Sequence, residues 1–420
     1  MQFSKFGEKL AGNTGIFQLM DDFAASLSSE QPMQMLGGGN PSHIPEVLEY
    51  FRQSLLTLIN DPQRFAAFLG NYDAPQGNLE FISALATMLK EQCGWDITEE
   101  NITLTNGSQN AFFFLFNLLA GEMPDGQHKK ILLPLTPEYI GYTDVGLSDN
   151  LFATEKPVIE MIDRRTFKYG INFDKLNVTD DIGAICVSRP TNPTGNVLTD
   201  DEIAHLDRLA NMHNIPLIID NAYGAPFPKI ISTDIQPHWN KNTITCMSLS
   251  KLGLPAARTG IIIADKPIVK AISAMSAIVN LSPGGLGASL ATEMVRTGEI
   301  LAISDQIVQP YYAQKAEQAM QWFDEAMGDA EGYIHKPEGA IFLWLWFKGL
   351  PISSQELYER LKRRGVLVCP GHYFFPGIDE DWQHKHECIR ITYSQSDDDV
   401  RTGIGKIAEE VKRAYREAKE

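Results

Sequence analysis

The sequence predicts an α/β fold: a large domain with a mostly parallel central sheet flanked by helices, plus a smaller α+β domain. Three observations predict it. Short aliphatic or β-branched runs without polar alternation recur along the chain, as in strands buried on both faces. Helical patterns separate these runs, the alternation that builds a parallel sheet. The chain has 420 residues, more than one ordinary domain of roughly 150 residues requires.

In chain order the runs are Ile102–Leu104, Ile131–Leu133, Ala184–Val187, Leu217–Ile219, Ile244–Met247 and Gly260–Ala264, all within residues 46–295, the expected large domain. The pattern then changes. A long helical stretch runs through Tyr311, Tyr312 and Trp322, strand runs follow at Ile341–Phe347 and Cys388–Tyr393, and a terminal helix is expected from Asp399 to Lys419. The Lys and Glu interspersed in that helix mark a solvated face. Residues 1–45 have no strand pattern of their own and group with residues 296–420 as the small domain.

Hydrophobic residues make up 44% and charged ones 21%, the composition of an ordinary globular protein rather than a disordered or low-complexity one. The net charge is −17, which disfavours nucleic acid and anionic membrane surfaces as partners. Five cysteines, an odd number with no CxxC pair, read as reduced thiols and a cytoplasmic location. The N-terminal stretch MQFSKFGEKLAGNTGIFQLM lacks the apolar core of a signal peptide. Apolar runs such as Ala340 to Phe347 fall far short of the roughly 20 residues of a membrane helix.

Three of the runs lead into dense polar clusters. Ala184–Val187 leads into SRPTNPTGN (Ser188 to Asn196), Pro216–Ile219 into Asp220, Asn221 and Tyr223, and Ile244–Met247 into SLSKLGLPAAR (Ser248 to Arg258). Ligands of open α/β sheets sit beyond the carboxyl ends of the strands, so the three clusters point to one site. NPTG alone would read as a turn. Lys251, just past a buried strand, can be desolvated into a usable amine nucleophile, although most lysines are simply solvated. Asp220 closes PLIID at the rim of an apolar strand, where a carboxylate needs a partner; a helix N-cap is about equally consistent with that residue alone. Asn106, Gly107, Ser108 and Gln109 precede an apolar helical stretch ended by Gly121. Backbone N–H groups and a hydroxyl at such a start can hold an anion, and a plain capped core helix would look the same. Ser248, Ser250 and Arg258 could complete that cup, Arg as the fork-shaped partner.

A lysine for an imine, a carboxylate for a pyridinium nitrogen and a phosphate cup together describe pyridoxal 5′-phosphate. At these residues the sequence resembles the fold-type I pyridoxal-phosphate aminotransferases of class I/II along nearly its whole length. Asn106–Gln109, Pro137–Tyr142, Asn192–Gly195, Asp220–Tyr223, Ser248–Arg258 and Arg390 carry the match. The closer likeness is to members that exchange an amino group between valine and pyruvate, through LGGGNP (Leu36 to Pro41), NYDAPQG (Asn71 to Gly77), PEYIGY, SRPTNPTGN, DNAYG, SLSKLGLP and PEGAIFLWLWF. The resemblance implies that Lys251 forms the Schiff base with the cofactor and shuttles the proton, and that Asp220 holds the pyridinium nitrogen. It implies that Tyr223 and Asn192 bond the phenolic oxygen, that Tyr139 stacks on the ring, and that Gly107, Ser108, Gln109, Ser248, Ser250 and Arg258 surround the phosphate. Tyr72 would reach the neighbouring subunit's phosphate, making a homodimer part of the site. Arg390 would fork onto the substrate carboxylate, with Asn192 beside it and an N–H of Gly39 added. Tyr139 departs from the aspartate enzymes, which carry tryptophan there.

Gly15, Ile16, Tyr373, Phe374 and Phe375 are candidates for an apolar side-chain pocket without a second arginine, which suits valine and 2-oxo acids such as pyruvate better than dicarboxylates; plain core is the commoner fate of such aromatics. Other neutral amino acids, or a β-elimination on the same fold, remain alternatives. A regulator's cofactor-binding module is disfavoured by the acidic chain. His384, His386 and Cys388 alternate at period two and on a strand could share a metal-binding face, although packing is the more frequent role. No G-x-G-x-x-G or P-loop pattern occurs, which weakens nicotinamide and nucleotide readings.

Overall fold

The structure is a computed structural model that describes residues 1–12, 14–27 and 33–420. The six central runs form one sheet in the spatial order Ile102–Asn106, Thr259–Ile263, Thr243–Ser248, Leu217–Asp220, Ile182–Ser188 and His128–Leu133, with Gly121–Glu122 and Phe152–Thr154 beyond the last. Thr243–Ser248, Leu217–Asp220, Ile182–Ser188, His128–Leu133 and Phe152–Thr154 run parallel, and Thr259–Ile263 is antiparallel to both its neighbours.

The runs are mostly apolar because both faces are covered. Ile218, Ile244 and Ile262 point to one face and pack with Ala111, Phe112 and Phe116 of the helix Ser108–Leu119. Leu217 and Ile219 point the other way, against Ile203, Leu206 and Ala210 of the helix Asp200–Met212. Each such buried side chain contributes about 1.5–3 kcal/mol relative to leaving it exposed.

A second sheet runs Cys369–Pro370, Cys388–Thr392, Phe342–Trp346, Tyr333–His335, Thr166–Gly170 and Val158–Met161. Its last two strands come from between residues 46 and 295, so this sheet joins segments remote in sequence. The helices Gln309–Met327 and Asp397–Glu417 pack together beside it, near the expected positions. The N-terminal part contributes Gln34–Met35, paired in parallel with Val366–Leu367. Among the described residues no helix is long and apolar enough to cross a membrane.

Candidate active site

The register of the large sheet assembles the site. Ser188 lies beside Asp220, and Asp220 beside Cys246, at the carboxyl ends of three adjacent parallel strands. Three polar clusters far apart in sequence are thereby neighbours in space, at the edge where α/β sheets bind ligands.

Lys251 follows in the turn after Thr243–Ser248 and is half-buried. Its Nζ donates to the carbonyl of Gly39 at 2.6 Å and lies 5.3 Å from the ring centre of Tyr223. Burial, reinforced by the nearby Arg390 and Arg258 charges, pushes its ammonium down to about 8, against a smaller opposing pull from Asp220. Only the neutral amine attacks a carbonyl. Capture of pyridoxal phosphate by the cofactor-free chain should therefore speed up as pH rises through about 8. Stopped-flow absorbance across that range checks this; a rate that stays flat would contradict it.

Asp220 accepts from the Tyr142 hydroxyl at 2.7 Å and from the backbone N–H of Ala222 at 3.0 Å. Burial raises its carboxyl above the usual range, with these bonds and the Lys251 charge opposing. Among the described residues no cation forms an ion pair with it. The Tyr142 hydroxyl also lies 3.4 Å from Ser188 Oγ, and Ser188 Oγ lies 2.5 Å from Glu138 Oε2.

The anion cup forms where Ile102–Asn106 passes into the helix starting at Ser108. Gly107 has φ of +83°, a conformation suited to glycine, and a Cβ there would collide with the Arg258 guanidinium. Gly260, on the neighbouring strand, permits the close approach: a Cβ there would lie 2.6 Å from the Gly107 carbonyl carbon and 2.7 Å from the Ser108 nitrogen. The first-turn N–H groups of Ser108 and Gln109 face the cup, at the positive end of a helix. The Gln109 side-chain amide donates instead to the Gly141 carbonyl at 2.8 Å, so what Gln109 offers an anion is its backbone. Ser248 Oγ accepts from the Ser250 N–H at 3.1 Å, which shapes the turn, and both serines are buried.

Arg390 is 3% exposed. One terminal nitrogen donates to Asn192 Oδ1 at 2.8 Å and the other to the Gly37 carbonyl at 2.5 Å, while Nε has no partner. The guanidinium lies 4.2 Å from the Phe342 ring centre and 5.2 Å from that of Phe374. Among the described residues no carboxylate pairs with it. A buried cation without a counter-charge is costly, and a ligand carboxylate is what would complete it.

Most of the residues expected from sequence therefore meet. Asn192 and Tyr223 are buried beside Arg390 and Lys251. Tyr139 packs edge-on to Tyr142 at 5.5 Å between ring centres. Gly39 meets Lys251 through its carbonyl, whereas an N–H toward the substrate was expected of it. Ile16 packs against the cluster that contains Ile140, Phe374 and Phe375, while Tyr373 lies against Gly15 and donates to Gln18. Tyr72 stands apart: it is 83% exposed, among Arg64, Asp73 and Ser282 to Gly285. His384 and His386 lie on or beside a short helix, Gln383–His386, so they do not share a strand face with Cys388. His384 Nε2 is 2.5 Å from the Tyr169 hydroxyl, and half-buried His386 lies 3.1 Å from exposed Asp381. Sequence reasoning gave no role of their own to Glu138, Tyr142, Ser188, Gly37 or Phe342, although each lay inside a quoted motif.

This arrangement fits pyridoxal 5′-phosphate on its own terms. It offers a half-buried amine of lowered basicity, a buried carboxylate without a cation, an amide-lined anion cup, and a guanidinium without a counter-charge for a second acid group.

Comparison with known proteins agrees. The family model "Aminotransferase class I and II" matches residues 159–407. The chain is 50% identical over 418 residues to the valine–pyruvate aminotransferase of Escherichia coli K12, covering 100% of both. Among solved structures, a putative amino-acid aminotransferase from Psychrobacter arcticum superposes with a TM-score of 0.96 at 50% identity, covering 99% of each chain. The valine–pyruvate aminotransferase of Salmonella typhimurium LT2 gives 0.88 at 50% identity, covering 96% of this chain and 100% of that one. The chain belongs to the class I and II aminotransferases, pyridoxal-phosphate enzymes of fold type I.

Proposed function

We propose that the enzyme moves an amino group between valine and pyruvate, giving 3-methyl-2-oxobutanoate and alanine by a ping-pong cycle. The observation that carries the reading is the buried, unpaired Arg390 guanidinium set beside an apolar wall. Phe374 touches it and belongs to one cluster with Ile16, Leu19, Ile140 and Phe375. An α-carboxylate completes the guanidinium, and an aliphatic side chain suits the wall. The full-length likeness to two valine–pyruvate aminotransferases supports the same substrates.

When bound, pyridoxal phosphate supplies the electron sink that acidifies the substrate Cα–H. The chain's own residues do the rest. Lys251 would anchor the cofactor and, once displaced from it, take the proton from the substrate Cα and hold it at Nζ. Asp220 would pair with the ring nitrogen. Tyr223 and the amide N–H of Asn192 would hydrogen-bond the phenolic oxygen, and Tyr139 would stack on the ring. Gly107, Ser108, Gln109, Ser248, Ser250 and Arg258 hold the phosphate. Arg390 grips the substrate carboxylate, with Asn192 and the Gly39 backbone beside it and Ile16 against the side chain. Tyr72 serves the site of a second copy. The exposed apolar residues Leu55, Ile59, Phe65, Leu69 and Leu286, on helices that pack together, support a homodimer face there. Five free cysteines support a cytoplasmic location.

Initial rates with purified enzyme test the substrate. Valine with pyruvate should exceed aspartate or glutamate with 2-oxoglutarate, because a second carboxylate would be desolvated without a partner. The reverse order would refute the assignment to valine. Release of ammonia from β-substituted donors at a comparable rate would indicate an elimination enzyme instead. Arg390→Lys should raise KM for valine and pyruvate alike by about 10- to 100-fold, since a point charge cannot reproduce the bidentate fork, while the visible absorbance of the resting enzyme stays put. A change confined to cofactor affinity would move Arg390 into the phosphate cup.

A further inference from the structure

Behind Asp220 lies a second buried carboxyl group that the reaction as described does not use. Glu138 is 2% exposed, in the loop after His128–Leu133. Its Oε1 accepts from the Ser188 N–H at 2.9 Å and its Oε2 lies 2.5 Å from Ser188 Oγ. Ser188 Oγ lies 3.4 Å from the Tyr142 hydroxyl, which is 2.7 Å from Asp220 Oδ2. Four oxygen groups thus make three contacts in a row. Among the described residues no cation pairs with Glu138.

Counting protons decides how such a row is filled. With Glu138 ionised, the serine and tyrosine hydroxyls supply two protons for three contacts, and the Ser188–Tyr142 contact is left without one. With Glu138 protonated, each contact has its own proton: Glu138 donates to Ser188, Ser188 to Tyr142, and Tyr142 to Asp220. Heavy-atom positions leave the direction of an O–H···O contact open, and the count requires only one proton on the two carboxyl groups together. The Lys251 charge, which favours the ionised form of Asp220, puts that proton on Glu138. Two ionised carboxylates in one buried network would also repel.

We propose that Glu138 is a neutral carboxylic acid and a positioning residue. Through Ser188 and Tyr142 it feeds a one-way hydrogen-bond chain that fixes Asp220 as the single anion facing the cofactor's ring nitrogen. The inference rests on the reading of Asp220 given above. Burial and the neighbouring Asp220 charge push the Glu138 carboxyl up to about 8, against the bonds from Ser188 and from the Tyr139 backbone. The other titratable groups facing it, Tyr142 and Cys186, are held neutral by burial. The Lys251 charge acts on Asp220, and the Arg390 and Arg258 charges on Tyr139.

The test is an infrared difference spectrum between the wild type and Glu138→Gln at neutral pH, recorded on the cofactor-free chain and again after loading with pyridoxal phosphate. The expected result is a protonated-carboxyl carbonyl band in the wild type, shifted in heavy water and absent from the variant. A carboxylate band in its place, lost on substitution, would overturn the proposal. Glutamine keeps a donor toward Ser188 Oγ and an acceptor for the Ser188 N–H, so Glu138→Gln should recover most of the Cα–deuterium exchange that Glu138→Ala loses, about 10-fold or more for a broken buried chain. Equal loss in both variants would show that the charge mattered, against the proposal. The band on the cofactor-free chain does not depend on what Asp220 binds. If Asp220→Asn left cofactor binding and exchange intact while the band persisted, the reading of Asp220 would fail and the protonation of Glu138 would stand.

Discussion

Lys251→Ala should lose transamination by about 10²–10⁴-fold or more, the loss expected when a residue that both binds covalently and moves a proton is removed. The fold should survive, because the half-buried lysine contributes little structure beyond its bond to the Gly39 carbonyl. Pyridoxal phosphate should be retained only loosely, and the visible absorbance typical of the wild-type complex should be absent. Paired measurements of thermal unfolding and turnover separate this outcome from misfolding. A folded variant with near-normal turnover would remove Lys251 from the reaction.

Asp220→Asn is expected to give the second large effect. A charge-assisted bond to the ring nitrogen is worth about 1.5–3 kcal/mol, so replacing it with a neutral amide should slow Cα deprotonation by about 10- to 100-fold. Exchange of the valine α-hydrogen for deuterium reads this step directly. The same substitution should leave the cofactor-free chain at least as stable. The carboxyl of Asp220 is raised in the folded state by burial, so its ionised form at neutral pH opposes folding, a cost confined to pH above the ordinary carboxylate range. An amide carries no such charge. Lower thermal stability of the cofactor-free variant at neutral pH would contradict the burial argument, and unchanged exchange would contradict the role.

The parts of the fold that could be read from sequence were those with a local physical cause. Leu217–Ile219 and Ile244–Met247 are short, mostly apolar runs because helices cover both faces of their sheet. The ribbon Val158–Gly170 escaped detection. Val158 and Met161 are exposed, charged residues are scattered through the ribbon, and its place in the second sheet comes from pairing Thr166 with Ile334, a contact no local pattern encodes. The site divides in the same way. Lys251 and Asp220 stand at the ends of apolar runs, and Arg390 within one, where a charge is conspicuous. Glu138 sits in a loop after a strand, where most glutamates are solvated, and only the fold brings Ser188 and Tyr142 alongside it. Whether Gly39 would offer its carbonyl or its N–H is a matter of backbone orientation. His384 and His386 alternate as strand residues would, but the chain turns through a short helix there. Gly260 shows no motif at all, yet its missing side chain lets the Gly107–Ser108 turn close over the cup.

The central claim is that this site carries out reversible amino transfer on a neutral amino acid. Its most direct test is the two half-reactions on purified enzyme loaded with pyridoxal phosphate and freed of excess cofactor. Adding valine alone should bleach the visible absorbance of the bound cofactor and release one equivalent of 3-methyl-2-oxobutanoate per site; pyruvate should then restore the absorbance and yield one equivalent of alanine. Absorbance that persists with valine, or bleaching that pyruvate does not reverse, would contradict the account.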